Sequence, residues 1–441
     1  MTRSVRAVRI RLAGAEAYAA AGVAAVAVGA GIVYNPLIAV AAAAVVFGAL
    51  TVDRLGRVAV ATVMVASLPW LVVFGNVLPP LLKTFAAAAA AGAFFVTARP
   101  DLSRSGAGLV FKVGLVMFFA PVGLALLRNG GGAQLTEAAK YIVFPTMAFA
   151  LVGMTRSDDC TVIRTWGFRS AVAALTVQFM IGLAGLGGVS AFYHSGERLG
   201  FASAHDIALL AAAVAGGAAV ARLPFRHMLV VLGIATLVTL QTGVRSALAG
   251  LVVLALLAAW FARGYRVRWL AAIGAVVIFA FATGATDVIA NRLAHSRQTG
   301  EFTTFATAGS GRGEIWTAAL RYYAGSPAQD IVVGTGLRTI TRIENAAIGE
   351  ALVGHSDFVE VLVELGLVGI GGLLLMWGTL IRRTTDPLVF VPIIAFALLN
   401  GTLEYTAPLV VGLALSIPRE SYEHETARER DLAAAAVAGT L

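Results

Sequence analysis

Along its length the chain alternates long apolar runs with short charged or Gly/Pro-rich breaks. The runs fall at Ala17 to Tyr34, Pro36 to Val52, Val58 to Phe74, Leu81 to Ala98, Leu109 to Leu127, Ala139 to Thr155 and Phe168 to Val189. They continue at His205 to Ala221, Met228 to Gly243, Ser246 to Ala262, Trp269 to Ala285, Asp357 to Ile381, Leu388 to Gly401 and Tyr405 to Ile417. Runs of about 20 apolar residues suit membrane-crossing helices rather than barrel strands, because a helix satisfies its own backbone groups in hydrocarbon. The pattern predicts an all-α, polytopic integral membrane bundle of about 12 to 14 transmembrane helices, the last two runs being short for a span. Only 13% of the residues are charged, against about 25% in a soluble domain, so the composition agrees. Alanine runs such as "FAAAAAAGAFF" let helices approach closely in lipid and need no functional explanation.

One interruption is too long to be a connector: about seventy residues of ordinary polarity between two spans. It divides the chain into an N-terminal transmembrane bundle (1–285), an extracytoplasmic loop with short helices (286–355), C-terminal transmembrane helices (356–418) and a tail (419–441). Within the loop, "GSGRGEIWTAALRYYAGSP" predicts a short amphipathic helix. Ser310 caps its start, Ile315, Ala319 and Tyr322 share its apolar face, and Gly325 with Pro327 ends it. The start "MTRSVRAVRIRLAG" resembles a signal peptide, yet the following run is long enough to cross and many spans follow; it reads as an uncleaved first helix.

The arginines orient the bundle. Alternate breaks carry Arg3, Arg6, Arg9 and Arg11; Arg54 and Arg57; Arg99 and Arg104; Arg156 and Arg164; Arg222 and Arg226; Arg263, Arg266 and Arg268; Arg382 and Arg383; then Arg419, Arg428 and Arg430 in the tail. By the positive-inside rule these ends, and both termini, are cytoplasmic. The net charge of +9 therefore reflects topology, and nucleic-acid binding is not implied. Cys160 is the only cysteine, which excludes disulfides within the chain and thiol metal sites; it reads as part of a cytoplasmic loop.

Few basic residues remain for the outer side: Arg128, Lys140, Arg198, Arg245 and a cluster in the long loop. Arg198 in "HSGERLGFASAHD", Arg245 in "LQTGVRSALAG" and Arg312 in "GSGRGEIW" are candidate phosphate ligands, since guanidinium groups make forked, charge-assisted hydrogen bonds to phosphate. A helix start at Arg312 adds backbone donors. In the alternative each is an interfacial arginine reaching headgroups. "LVGHSDFVEVLVELGLVGIGG" places His355 at the junction of loop and span, with Asp357, Glu360 and Glu364 at spacings that share one inward helix face. Carboxylates inside a span are costly and are functional or paired. A neutral imidazole there can accept a hydroxyl proton, with Asp357 to orient it or to serve as reserve base; Glu364 instead reads as a structural partner of an arginine. His205 and Asp206 at one span start, Glu360, and Glu404 in "NGTLEYTAP" either line a pocket or cap helices. No HExxH, DxD or Cys/His spacing is present and the nearby arginines repel cations, so neither metal nor cofactor is expected. The GxG in "VVGTGLRT" lacks a following GK[ST] and serves a turn.

The order of these segments resembles the O-antigen ligase and polymerase family of membrane glycosyltransferases. It runs from "TGVRSALAGLVVLALL" through the outer loop with "GRGEIW" and "VGTG" to "HSDFVEVLVELGLVG". The resemblance covers about Leu240 to Arg383 and, more loosely, Arg198 to the end. It implies a C-type glycosyltransferase fold in a bacterial cytoplasmic membrane, with an extracytoplasmic active site. It also implies inverting, metal-independent transfer of a glycan from a polyprenyl-diphosphate-linked oligosaccharide to a hydroxyl of a glycan or glycolipid acceptor. Carried over by motif, Arg245 and Arg312 bind the diphosphate and His355 is the base. Arg198 matches less well because "GFASAHD" follows it, and "HSD" replaces the commoner "HN". Membrane lipid, a flippase and a chain-length regulator are the implied partners. Polymerase and ligase remain alternatives. A transporter or flippase of lipid-linked oligosaccharide is the competing class, though repeated halves are not evident in the sequence.

Overall fold

The computed structural model describes residues 53–74, 80–102, 106–129, 132–155, 157–184, 203–220, 225–242, 244–261, 312–348, 356–383 and 387–417, with Leu223 and Gly274. Among them the regular structure is helical throughout. In chain order the helices are α1 (Arg54–Val73), α2 (Pro80–Ala98), α3 (Gly106–Asn129), α4 (Gly132–Gly153), α5 (Ser157–Leu183), α6 (Ala204–Val220) and α7 (Phe225–Thr242). There follow α8 (Arg245–Phe261), α9 (Arg312–Ala324), α10 (Ala328–Val333), α11 (Thr339–Ile348), α12 (Asp357–Arg383), α13 (Phe390–Leu399) and α14 (Thr406–Leu415). Among the described residues, four segments are long and apolar enough to cross a membrane: Arg54–Val73, Gly108–Arg128, Asp158–Leu183 and Asp357–Arg383. Shorter apolar helices, such as Ala204–Ala219 and Thr406–Leu415, accompany them. This is an all-α polytopic membrane protein. The apolar runs at Ala17 to Tyr34 and Pro36 to Val52, and that at Trp269 to Ala285 but for Gly274, lie outside the described residues.

The most extensive helix pairing is α3 against α12. It is close because two glycines face each other: a Cβ on Gly372 would stand 2.6 Å from Gly114 O and 2.6 Å from Phe118 N. Small residues at a crossing let backbones approach where lipid supplies no hydrophobic drive for association. At the centre lies α14, buried along its whole length and packed on α1, α2, α4, α5 and α6. A helix apolar on every face belongs in an interior. At ten residues it is too short to cross alone, rising about 15 Å.

Three expectations need correction. Helix α5 starts at Ser157, some ten residues before the apolar run, so Cys160 is helical and fully buried rather than in a loop. Asp158 and Asp159 in the first turn favour the positive end of the helix, and a tertiary contact holds that turn: Asp159 receives a forked pair from Arg54. In α9, bounded at Gly325 as expected, Ile315 and Ala319 are buried but Tyr322 is half-exposed; Tyr323 completes the inner face, at spacing i, i+4, i+8. Its expected cap, Ser310, lies outside the described residues. Glu364 does not pair with an arginine: its hydrogen bonds come from Tyr141 and the amide of Ile340.

Polar contacts segregate to two ends of the bundle. One end holds Arg54 with Asp159, Thr97 on Arg57 O, Thr155 on Arg99 O, and Arg164 donating to Ile417 O at 3.0 Å. These belong to the set that the arginine distribution assigns to the cytoplasm. The other end gathers Lys83, Lys140, Asp206, Arg245, Glu360 and Glu404, and it holds the candidate site.

Candidate functional site

The turn between α13 and α14, "NGTLEY" at Asn400 to Tyr405, organises this end, and each of its polar groups reaches a different helix. Asn400 Nδ2 donates to Ser246 Oγ at 2.7 Å, beside Arg245 at the start of α8. The amide of Thr402 donates to both oxygens of Asp357 at 2.8 Å, its hydroxyl donates at 2.5 Å, and the Leu403 amide at 3.1 Å. Glu404 is ion-paired to Lys140 of α4. The Tyr405 ring stacks on His205 of α6, with centroids 5.7 Å apart. Gly401 makes the turn possible at φ 77°, with Asp357 Oδ1 only 3.1 Å from where a Cβ would stand. Irregular backbone in a membrane protein persists only where its groups are satisfied, and Asp357 supplies the acceptors.

The stripe of carboxylates on α12 points inward: Asp357 and Glu360 are each 2% exposed and Glu364 1%. What receives them is Lys140, 6% exposed, whose ammonium is paired with Glu137, Glu360 and Glu404. The neighbouring hydroxyl of Tyr141 donates to Glu360 at 3.0 Å and to Glu364 at 2.9 Å. A second buried pair, Lys83 with Asp206 at 2.5 Å, ties α2 to α6 next to the His205 stack. Glu137, Glu360 and Glu364 bring oxygens within 4.8 Å of one another, close enough to hold a metal ion. Oxygens of this group already accept from the Lys140 ammonium, on Glu137 and Glu360, and from the Tyr141 hydroxyl, on Glu360 and Glu364.

Helix α12 is broken at Gly366, where φ is 69° and ψ −169°. The break frees the carbonyls of Val363 and Glu364, and the preceding "VGTG" turn fills them. Thr335 N donates to Val363 O at 3.0 Å, Thr335 Oγ1 to the same oxygen at 2.9 Å, and Gly336 N to Glu364 O at 3.2 Å. The GxG segment is thus a turn, as expected, and it docks the 328–348 segment onto the acidic half of α12. One carboxyl of that segment, Glu344 on α11, is fully buried with neither oxygen hydrogen-bonded. Burial first, and then the negative charges of Glu360 and Glu404, push it up to about 8.

Of the sequence candidates, the fold brings His205, Asp206, Arg245, Asp357 and Glu360 into one polar layer through the 400–405 turn. Arg312 opens α9, which packs against α11 and α12. Arg198 and His355 lie outside the described residues; His355 immediately precedes Ser356, whose carbonyl accepts from Glu360 N at the start of α12. Sequence reasoning gave no role to Lys140, Tyr141, Glu137, Lys83 or Glu344. A usable signal was the Glu137–Lys140 pair, at i, i+3 beside an apolar run in a chain with three lysines. Removing the Asp357 carboxylate should release the turn. Asp357→Ala leaves the buried donors of Thr402 and Leu403 unmatched, at a cost of about 3 kcal/mol or more. Thermal unfolding in detergent measures this, and Asp357→Asn, which keeps one acceptor oxygen, should lose less.

No curated protein matches the chain. A family model described as O-antigen ligase matches residues 228–374, from the first turn of α7 to the middle of α12. That segment contains Arg245, Arg312, Glu344, His355, the docked GxG turn and the acidic stripe. The resemblance read from the sequence is thereby borne out for this segment: residues 228–374 are similar to the O-antigen ligase family.

Proposed function

We propose that this membrane glycosyltransferase-type enzyme moves a glycan from a polyprenyl-diphosphate carrier to an acceptor hydroxyl at the outer face of a bacterial cytoplasmic membrane. The observation that carries the reading is the 400–405 turn. It holds the start of α8, which bears Arg245, and the start of α12, which follows His355, to the same buried loop. Guanidinium groups of Arg245 and Arg312 neutralise the charge developing on the leaving diphosphate; Arg198 is a third candidate for that work. His355 accepts the proton as the acceptor oxygen attacks the anomeric carbon from the opposite face. Inversion follows from a single displacement, and no metal is required when fixed arginines meet the phosphates. Asp357, engaged by Thr402 and Leu403, holds the turn in place and so acts through position.

The acidic layer favours an enzyme over a transporter reading in one respect. A broken helix is a common transporter device for exposing backbone to an ion or substrate. Here the carbonyls freed at Gly366 are filled by Thr335 and Gly336, which leaves the break a docking joint.

Reconstitution tests the proposal. Purified protein in lipid, given polyprenyl-diphosphate-linked oligosaccharide and an acceptor, should release polyprenyl diphosphate as a transferred or longer glycan appears, with chelator present. His355→Ala should slow transfer by about 100-fold to 10,000-fold. Arg245→Lys, which cannot make the forked contact, should lose about 100-fold or more. Movement of intact lipid-linked glycan across the bilayer without diphosphate release would reverse the assignment in favour of a flippase.

A further inference from the structure

Among the described residues, Glu344 is the one carboxyl of the polar layer whose two oxygens are buried and unmatched. Glu137, Glu360 and Glu404 share Lys140, Glu364 accepts from Tyr141 and Ile340 N, and Asp357 accepts from the 400–405 turn. Two carboxylates act on Glu344, Glu360 from α12 and Glu404 from the turn, and one cation, Lys140 of α4. Glu364 of α12 and Glu137 of α4 belong to the same cluster around Lys140 and Tyr141. From α9, the charged side chains Glu314 and Arg321 are exposed, as are Arg338 and Arg342 beside and on α11; Arg342 Nη2 donates to Thr339 Oγ1. A carboxylate in this place has no counterion of its own.

Helix α11 is otherwise seated on α12 by contacts indifferent to charge on Glu344. Leu337 and Ile340 are buried, Ile340 N reaches Glu364, and the GxG turn fills the α12 break. It is also the last described element before His355. We propose that Glu344 is a positioning residue for the transfer reaction: as the neutral acid it seats α11 over the acidic layer of α12, and as the carboxylate it lifts that helix. The catalytic half of this inference rests on the function proposed above; the seating half does not.

The direction with pH follows from linkage. In the seated state the acid titrates at about 8, and once α11 lifts and water reaches it, at the ordinary 4.5. The seated state therefore holds the proton more tightly. Seating is fully favoured below 4.5, weakens tenfold per pH unit as pH rises toward about 8, and changes no further above that.

Hydrogen–deuterium exchange of α11, divided by that of α9 in the same full-length protein in lipid nanodiscs, reads the seating and cancels the intrinsic pH dependence of exchange. From about pH 6 to about pH 8 the wild-type ratio should rise up to tenfold per unit and then level. Glu344→Gln, neutral and isosteric, should keep it flat. Transfer by the wild type should decline over the same window, and transfer by Glu344→Gln should not. A wild-type ratio that stays constant with pH overturns the seating, and that arm stands even if the variant fails to accumulate. An exchange response with identical pH profiles of transfer in the two proteins overturns the positioning role. An exchange response in a protein that transfers no glycan at any pH sinks the proposed function and leaves the seating intact.

Discussion

Lys140→Met will cost this protein about 3 to 5 kcal/mol, the range seen when one member of a buried ionic group is removed. Three carboxylates, Glu137, Glu360 and Glu404, meet on that single ammonium, which is almost wholly shielded from solvent. Removing it leaves like charges facing one another in a water-poor space, with Glu364 close behind on the shared Tyr141 hydroxyl. The helices tied by the ammonium are α4 and α12, with the 400–405 turn as third partner, so the loss spreads to the turn that holds Arg245 and the start of α12 together. Thermal unfolding in detergent gives the cost directly. Adding Glu360→Gln to Lys140→Met removes one uncompensated charge and should recover part of the loss, a non-additivity expected of groups in one network. If instead Lys140→Met unfolds like the wild type, the ammonium is not what neutralises the layer.

Much of α12 could be read from the chain alone. Asp357, Glu360 and Glu364 at three- and four-residue spacing predict one buried acidic stripe, because helical periodicity is local and charge inside an apolar run is rare. The partner of that stripe could not be read: Lys140 and Glu360 are 220 residues apart in the chain, and nothing in either segment names the other. The same holds for "VGTG". Its glycines announce a turn; that the turn lies against a break in a helix some thirty residues on is a tertiary fact. "NGTLEY" was legible only as a polar interruption between two short apolar runs, since Asn, Thr and Glu near a span end fit a helix cap as well as a hub. Glu344 escaped because a glutamate on a short amphipathic helix ordinarily faces solvent. Only packing shows that this one faces inward.

The second large effect lies at the joint between that turn and α12. Gly366 stands at φ 69°, ψ −169°, a backbone region essentially reserved for glycine. A Cβ there would overlap the amide nitrogen of Gly334 and the carbonyl of Val332. Both are backbone atoms of the docked turn, so no side chain can swing aside to relieve the clash. Gly366→Ala should therefore destabilise by about 3 kcal/mol or more. Gly334→Ala should do likewise, since Gly334 has φ 89° and its Cβ would overlap Glu364 O. The two substitutions break one contact, so their combination should cost less than their sum. Gly378, on the same helix with open space where a Cβ would point, is the control; alanine there should be neutral or stabilise by up to about 1 kcal/mol. The deeper consequence concerns the carbonyls. An alanine at 366 that let α12 run on as a regular helix would return Val363 O and Glu364 O to hydrogen bonds within the helix, stranding the amides of Thr335 and Gly336. The turn would then detach, taking α11 and Glu344 from the acidic layer, so exchange of α11 should rise with the fall in stability while α3 and its Gly114–Gly372 crossing stay protected. Uniform loss of protection across α3, α11 and α12 would mean that the break supports the whole bundle rather than the docked segment alone.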